Sequence, residues 1–141
     1  MAETFPLRVI APTGVLYEGP VEQATAVGGL GEFGVLPNHM NYITSILPGV
    51  LTLRLADGST TEYLLTGGLA EVKEGAMTVL ALEAMPVASV DPVEAAPLVI
   101  EAEQRLSHMS FYDPGYQEAE RALQLARTRA EINDVRRAHS Q

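Results

Sequence analysis

Glu32 and His39 are residues whose side-chain types and spacing could serve acid–base chemistry. A carboxylate and an imidazole exchange protons near neutral pH when a fold holds both beside a substrate. No nucleophile motif accompanies them: the sequence has no Cys, no Gly-x-Ser-x-Gly elbow, and no Ser that sequence alone pairs with a His. The sequence leaves open a small β-barrel enzyme that uses Glu32 and His39, but a loop His seven residues from a Glu is more typical of a contact or structural role.

Two other chemical motifs are incomplete. The three histidines, His39, His108 and His139, lack the short spacings of a metal site, so no metal ion or cofactor is expected. Gly29, Gly31 and Gly34 spell the dinucleotide fingerprint, but that motif needs a helix directly after its third glycine. Because Pro37 would disrupt such a helix, these glycines are predicted to form turns or bulges between strands.

Composition excludes several classes of function. The 141 residues carry a formal net charge of −9, which argues against nucleic-acid binding through clustered Lys and Arg. No apolar run reaches the roughly 18 residues that a membrane span needs, and the N-terminus does not resemble a secretion signal. The absence of Cys excludes disulfides and thiolate metal sites. We therefore expect no nucleic-acid partner and no insertion into a membrane.

The first part of the chain has the pattern of short strands. Apolar runs punctuated by turn signals extend from Thr4 to about Met85, as in an antiparallel β-sandwich or barrel. Tight turns are predicted at Asp57-Gly58 and Glu74-Gly75, which favours a meander of hairpins. The sequence thus predicts a β-sandwich domain over residues 1–86.

Residues 87–141 have the pattern of a linker followed by two helices. Asp91-Pro92 resembles a helix start, although Pro97 would kink that helix or begin it later. Asp113-Pro114 signals a second helix that runs to about Ala138. One stripe on each helix predicts their antiparallel packing: Leu98, Ala102, Leu106 and Met109 on the first, and Tyr116, Ala119, Leu123, Ala126 and Ala130 on the second. The expected fold class is α+β, an N-terminal β-sandwich followed by a C-terminal helical hairpin.

The second predicted helix also carries a basic face. The residues of this arginine face fall within an arc of about 80° on a helical wheel; they are Arg121, Leu125, Arg129, Ile132 and Arg136. The pattern fits a surface that binds an acidic, partly apolar partner, or else a solvated face whose Arg stems cover apolar surface. In either case the sequence predicts that this face points away from the alanine stripe.

The segment over residues 28–51, GGLGEFGVLPNHMNYITSILPGVL, carries a family resemblance. It is similar to the N-terminal domain of the epsilon subunit of F-type ATP synthases, whose mitochondrial counterpart is called delta. The likeness covers essentially the whole chain and includes these further segments: Leu16-Tyr17-Glu18-Gly19, Tyr63, Gly67-Gly68, Glu71-Val72 and Thr78-Val79-Leu80-Ala81.

The resemblance implies a non-catalytic central-stalk subunit of the ATP synthase, which rotates with the rotor. Its sandwich would bind the gamma subunit and rest on the c-ring, and its helices would inhibit ATP hydrolysis by extending toward the catalytic beta subunit. The subunit would be peripheral on the cytoplasmic face of the bacterial inner membrane.

Site residues follow from the same resemblance. The implied c-ring contact comprises Glu32, Pro37, Asn38 and His39, and the arginine face is the implied contact with an acidic segment of the beta subunit. A free-standing adaptor whose hairpin grips partner helices is the alternative, which co-purification with gamma would distinguish.

The sequence departs from the family pattern in two places. The usual His-Ala-Pro of the loop is His39-Met40-Asn41, which lacks the rigidity of a proline. Members that bind ATP carry [Ile/Leu]-Asp-x-x-Arg-Ala, whereas this chain has Asp91 and Ala95 with Glu94 in place of the Arg. Because a carboxylate repels phosphate, we expect ATP binding to be weak or absent.

Overall fold

The computed structural model describes the backbone of residues 3–89 and 95–139, and the side chains of residues 3–89 and 97–131. The chain divides into two compact units, Met1–Ala88 and Ser89–Gln141. The helix start predicted at Asp91-Pro92 lies outside the described residues.

The first unit is built from nine strands within residues 3–89. They are β1 (Phe5–Ala11), β2 (Gly14–Gly28), β3 (Gly31–Val35), β4 (Tyr42–Ile46), β5 (Gly49–Leu55), β6 (Thr60–Leu65), β7 (Gly68–Lys73), β8 (Ala76–Ala81) and β9 (Ala84–Pro86), followed by a 3₁₀ turn at Val87–Ser89.

The long strand β2 organises the sandwich. Its first half pairs with β1, and its second half pairs with both β3 and β5. The turns predicted at Asp57-Gly58 and Glu74-Gly75 close the β5–β6 and β7–β8 hairpins. Beyond these two hairpins the predicted meander is wrong, because β6 pairs with β9, β7 with β4, and β1 runs parallel to β8. These pairings between distant segments are not encoded in local turn signals.

Alternation along the strands sets the core. In β1, Phe5, Leu7 and Val9 are buried while Pro6 and Arg8 are exposed, as expected for a strand with one face against the core. The largest fully buried side chains of the sandwich come from six strands: Leu7, Val9, Val21, Val35, Leu51, Leu53, Leu64, Leu65, Met77 and Val79. Gly31 has a φ of 115° at the start of β3, which favours glycine, so the apparent dinucleotide motif is a strand connection.

The second unit contains two helices joined by a turn. Helix α1 spans Ala95–Ser107 and helix α2 spans Tyr116–His139. Pro97 falls in the first turn of α1, where a missing N–H is tolerated. Ala119, Leu123 and Ala126 of α2 are buried, which confirms the predicted stripe at the centre of the hairpin.

Candidate functional site

The loop between β3 and β4 presents His39 in a defined orientation. The Nδ1 atom of His39 lies 2.8 Å from the carbonyl oxygen of Met40. Since a carbonyl only accepts, Nδ1 is the protonated nitrogen, and Nε2 remains available for a partner. The ring also stacks edge-on against Tyr42, which in turn stacks against Phe33. The imidazole is thus held from one side while its other nitrogen is left for recognition.

Asn38 gives this loop its sharp bend. Its φ of 66° lies in the left-handed region, which Asn adopts more readily than most residues. Its side-chain amide donates to a carboxylate oxygen of Glu3 at 3.2 Å, and the His39 N–H donates to the Leu36 carbonyl at 3.2 Å. Pro37 lies half-buried between them. The loop is therefore tied to the chain segment before β1.

Glu32 is exposed on β3. Its neighbour Phe33 packs against the core, and successive strand residues face opposite sides. Among residues 3–89 and 97–131, no described hydrogen bond or ring contact joins Glu32 to His39. The two side chains are thus not assembled as an acid–base pair.

Exposed apolar side chains surround the same segment. Leu30, at the turn between β2 and β3, is fully exposed, and Met40 is 81% exposed beside His39. Leu36 is also exposed. Apolar side chains concentrated on two connections are typical of a surface that another protein covers.

An apolar row crosses one outer face of the sandwich. We use this name for Leu69, Leu80, Ile10 and Val15, which are register partners in turn across β7, β8, β1 and β2. Leu69, Leu80 and Val15 are exposed and Ile10 is half-buried. Ile43, which is 60% exposed on β4, extends this apolar surface.

The outer face of β5 and β6 is polar by contrast. Thr52 lies opposite Glu62, and Arg54 lies opposite Thr60. The Thr52 hydroxyl donates to a Glu62 carboxylate oxygen at 3.4 Å. The apolar row is thus specific to one face, and sequence reasoning missed it because the signal depends on which strands are neighbours.

The arginine face requires a correction. Arg121 is exposed, but Arg129 and Leu125 are half-buried and line a groove of about 270 Å³ between α1 and α2. The prediction that the whole face points away from the alanine stripe is therefore wrong at its edge. On a helix, Arg129 lies only about 60° around the axis from Ala126, so its long side chain reaches the seam. The side chains of Ile132 and Arg136 lie outside the described residues.

The same groove carries both charge signs. Arg105 and Glu101 of α1 line it together with Arg129. The Arg129 Nε atom is buried without a described hydrogen-bond partner. The degenerate nucleotide motif at Asp91, Glu94 and Ala95 lies outside the residues whose side chains are described, so weak or absent ATP binding stays a prediction.

Two further observations bear on the class of protein. Within the described residues, no group of three His, Cys, Asp or Glu side chains is placed to hold a metal ion. In the same part of the chain, neither helix is both long and apolar enough to cross a membrane.

A β-sandwich with exposed loops and an apolar outer row, followed by a helical hairpin, defines a protein-interaction module. The family model for the β-sandwich domain of the ATP synthase delta/epsilon chain matches residues 4–87. An ATP synthase epsilon chain of Exiguobacterium is 32% identical over 94% of this chain and 98% of its own length. That of Acidithiobacillus ferridurans is 35% identical over 90% of both chains. The chain therefore belongs to the ATP synthase delta/epsilon chain family.

Solved structures share the fold. A chain in the mitochondrial ATP synthase of Euglena gracilis, solved with OSCP, F1 and the c-ring, aligns with a TM-score of 0.79 at 24% identity, covering 89% of this chain and 78% of that chain. A chain in the central stalk and c-ring structure from Tetrahymena thermophila aligns with a TM-score of 0.69 at 13% identity, covering 94% and 98%. The family assignment confirms the predicted resemblance to the epsilon subunit and the prediction of an accessory subunit of the synthase. The predicted β-sandwich followed by two helices is also confirmed.

Proposed function

We propose that this chain couples the c-ring to the catalytic head of a proton-translocating ATP synthase and restrains ATP hydrolysis through its helices. Family membership over the whole sandwich is the observation that carries the proposal. Residues 1–86 would be the rotor-binding domain, and residues 87–141 would be a linker and regulatory hairpin. As a member of that complex, the chain would be peripheral on the cytoplasmic face of the bacterial inner membrane.

The apolar row is the surface that we assign to the gamma subunit. A rotor subunit must transmit torque without dissociating, which requires a stable interface with a dehydrated apolar centre. Leu69 and Leu80 supply exposed apolar surface on neighbouring strands, and Ile10 connects them to the exposed Val15 on β2. The polar outer face of β5 and β6 offers no comparable centre.

The segments around Glu32 and His39 are the surface that we assign to the c-ring. The Nε2 atom of a neutral His39 can accept a hydrogen bond, because the ring proton lies on Nδ1 and is donated to the Met40 carbonyl. Glu32 adds an exposed carboxylate on β3. Together with Pro37 and Asn38, these side chains offer polar recognition of loops on a protein ring, with Leu30 and Met40 adding apolar contact.

Inhibition is assigned to the second helix. Arg121 is exposed and available to an acidic segment of the beta subunit. Arg129 lines the groove of the closed hairpin, so its full exposure would require the two helices to separate. An extended hairpin would then present more of the arginine face than the closed one does.

The experiment replaces Glu32 and His39 together with Ala in the assembled synthase. ATP-driven proton pumping per ATP hydrolysed should fall, because both proposed c-ring contacts are lost. The matched control replaces Glu62, on the polar outer face, and His108, in the hairpin turn, with Ala and should leave pumping unchanged. Equal pumping by both double variants would contradict the c-ring assignment.

A further inference from the structure

We propose that Asn41 is a positioning residue that holds the c-ring-facing loop against the β7–β8 turn. The inference rests on the proposed function, because it names the residue that orients the proposed contact. Its basis is a single hydrogen bond between two segments that are distant in sequence. The Asn41 Oδ1 atom accepts from the backbone N–H of Glu74 at 3.0 Å.

The backbone N–H of Glu74 is free of the strand ladder and can therefore donate the hydrogen bond to Asn41, which we call the clamp. Lys73 and Ala76 are register partners, so Glu74 and Gly75 form a two-residue hairpin turn. Both have positive φ, 52° and 80°. A turn with this backbone directs its first central N–H away from the hairpin ladder, and the Asn41 side chain satisfies it.

Glu74 has a left-handed backbone, as the two-residue turn requires of its first central residue. A residue with a β-carbon is disfavoured in the left-handed region and stays there when its surroundings require it. Gly would adopt the same φ more easily, yet the chain has Glu at this position. The N–H of this turn residue is the group that donates to Asn41.

Strand register explains how the two segments meet. Tyr42, the first residue of β4, pairs with Val72 of β7. Asn41 directly precedes β4 and therefore lies next to the turn between β7 and β8. Its side chain adds one hydrogen bond to the β4–β7 pairing, just beyond the end of β4.

The loop is consequently held at two points. Asn38 ties it to Glu3 and Asn41 ties it to Glu74, with His39 and Met40 between these two anchors. The hydrogen bond that Asn41 accepts restrains the end of the loop that leads into β4.

The test compares three variants of the full chain, isolated and in the assembled synthase. Asn41→Ala removes the acceptor, Asn41→Asp retains an oxygen acceptor, and Glu74→Gly retains the donor while relieving the φ. In the isolated chain, Asn41→Ala should speed hydrogen exchange at residue 74 by about fivefold, the effect of one ordinary hydrogen bond. Asn41→Asp should restore slow exchange, and Glu74→Gly should leave exchange of the His39 amide, which donates to the Leu36 carbonyl, unchanged.

In the assembled synthase, Asn41→Ala should lower the ratio of protons pumped to ATP hydrolysed. Asn41→Asp and Glu74→Gly should leave this ratio unchanged. A purely structural bond would lower the melting temperature without lowering this ratio. Unchanged exchange at residue 74 in Asn41→Ala would overturn the clamp itself.

Two outcomes separate this inference from the proposed function. Faster exchange with normal pumping overturns the positioning role if the Glu32 and His39 double variant still loses pumping. If that double variant also pumps normally, the c-ring assignment fails, and the role of Asn41 in it fails too.

Discussion

Leu69 and Leu80 lie directly opposite each other on β7 and β8, and both side chains are exposed on the outer face of the sandwich. Because exposed strand positions contribute little to the core, Leu80→Glu should change the free energy of unfolding by only about 0.5 kcal/mol. It should nevertheless abolish co-purification with the gamma subunit, because it places a charge in the proposed apolar interface. Pull-down and thermal unfolding of the same preparation measure both effects.

Thr60→Glu is the matched control for Leu80→Glu. Thr60 is an exposed strand residue on the polar outer face, and it receives the same new side chain. It should leave co-purification intact. Loss of gamma in both variants, or in neither, would contradict the assignment of the apolar row.

The sandwich should fold without the hairpin. Its core is formed by side chains of residues 5–81, and the chain divides into compact units after Ala88. A fragment of residues 1–87 should show the β-type circular dichroism and the slow strand amides of the full chain. Rapid exchange throughout β5 and β8 of the fragment would contradict an independent domain.

Local sequence patterns predicted much of this fold for physical reasons. Asp57-Gly58 and Glu74-Gly75 act through their own backbone preferences, so both hairpins could be predicted. The parallel pairing of β1 with β8 depends on packing between segments some 70 residues apart and could not. Likewise, a helical-wheel projection places Arg129 on a face separate from the alanine stripe. In the structure its long side chain lines the groove between α1 and α2.

The candidate site was predictable only in part. The loop residues Asn38 and His39 were identified through the family resemblance. The apolar row depends on strand neighbours, and the hydrogen bond from the Glu74 N–H to Asn41 depends on the register of β4 with β7. Neither is encoded in the spacing of residues along the chain.

Asp57 should titrate below its ordinary value. The Ser59 hydroxyl and the Ser59 N–H both donate to its carboxylate, and they lower the pKa from 3.8. Because the folded pKa is the lower one, this stabilisation is fully present above the unfolded pKa and is lost as the pH falls through the folded pKa. Ser59→Ala removes the larger contribution, so NMR titration of the Asp57 carboxyl should show the pKa rising toward 3.8. An unchanged pKa in Ser59→Ala would contradict this origin.

The arginine face should govern inhibition. Exposed ion pairs are each worth only about 0.2–1 kcal/mol, so the test replaces Arg121, Arg129 and Arg136 together with Glu. ATP hydrolysis by the assembled complex should rise to about the level reached by deleting residues 91–141. High salt should partly mimic this rise, because it screens exposed pairs.

Two further variants distinguish partner binding from effects on the hairpin. Arg121→Glu with Arg136→Glu leaves Arg129 in the groove unchanged and should still activate hydrolysis in part. Arg127→Glu, which breaks an exposed ion pair with Glu103 within the hairpin, should not. If the deletion activates hydrolysis while the triple variant stays inhibited, the arginine face is only a solvated surface.

Reconstitution of ATP synthase membranes that lack this chain tests the central claim most directly. ATP-driven proton pumping is measured after adding back the full chain, the fragment of residues 1–87, or the Glu32 and His39 double Ala variant. The full chain should restore coupled pumping. The fragment should also restore coupled pumping, but ATP hydrolysis should be faster. The double variant should hydrolyse ATP with poor coupling to proton pumping. Membranes that pump equally well without the chain and with it would contradict a role in coupling the c-ring to the catalytic head.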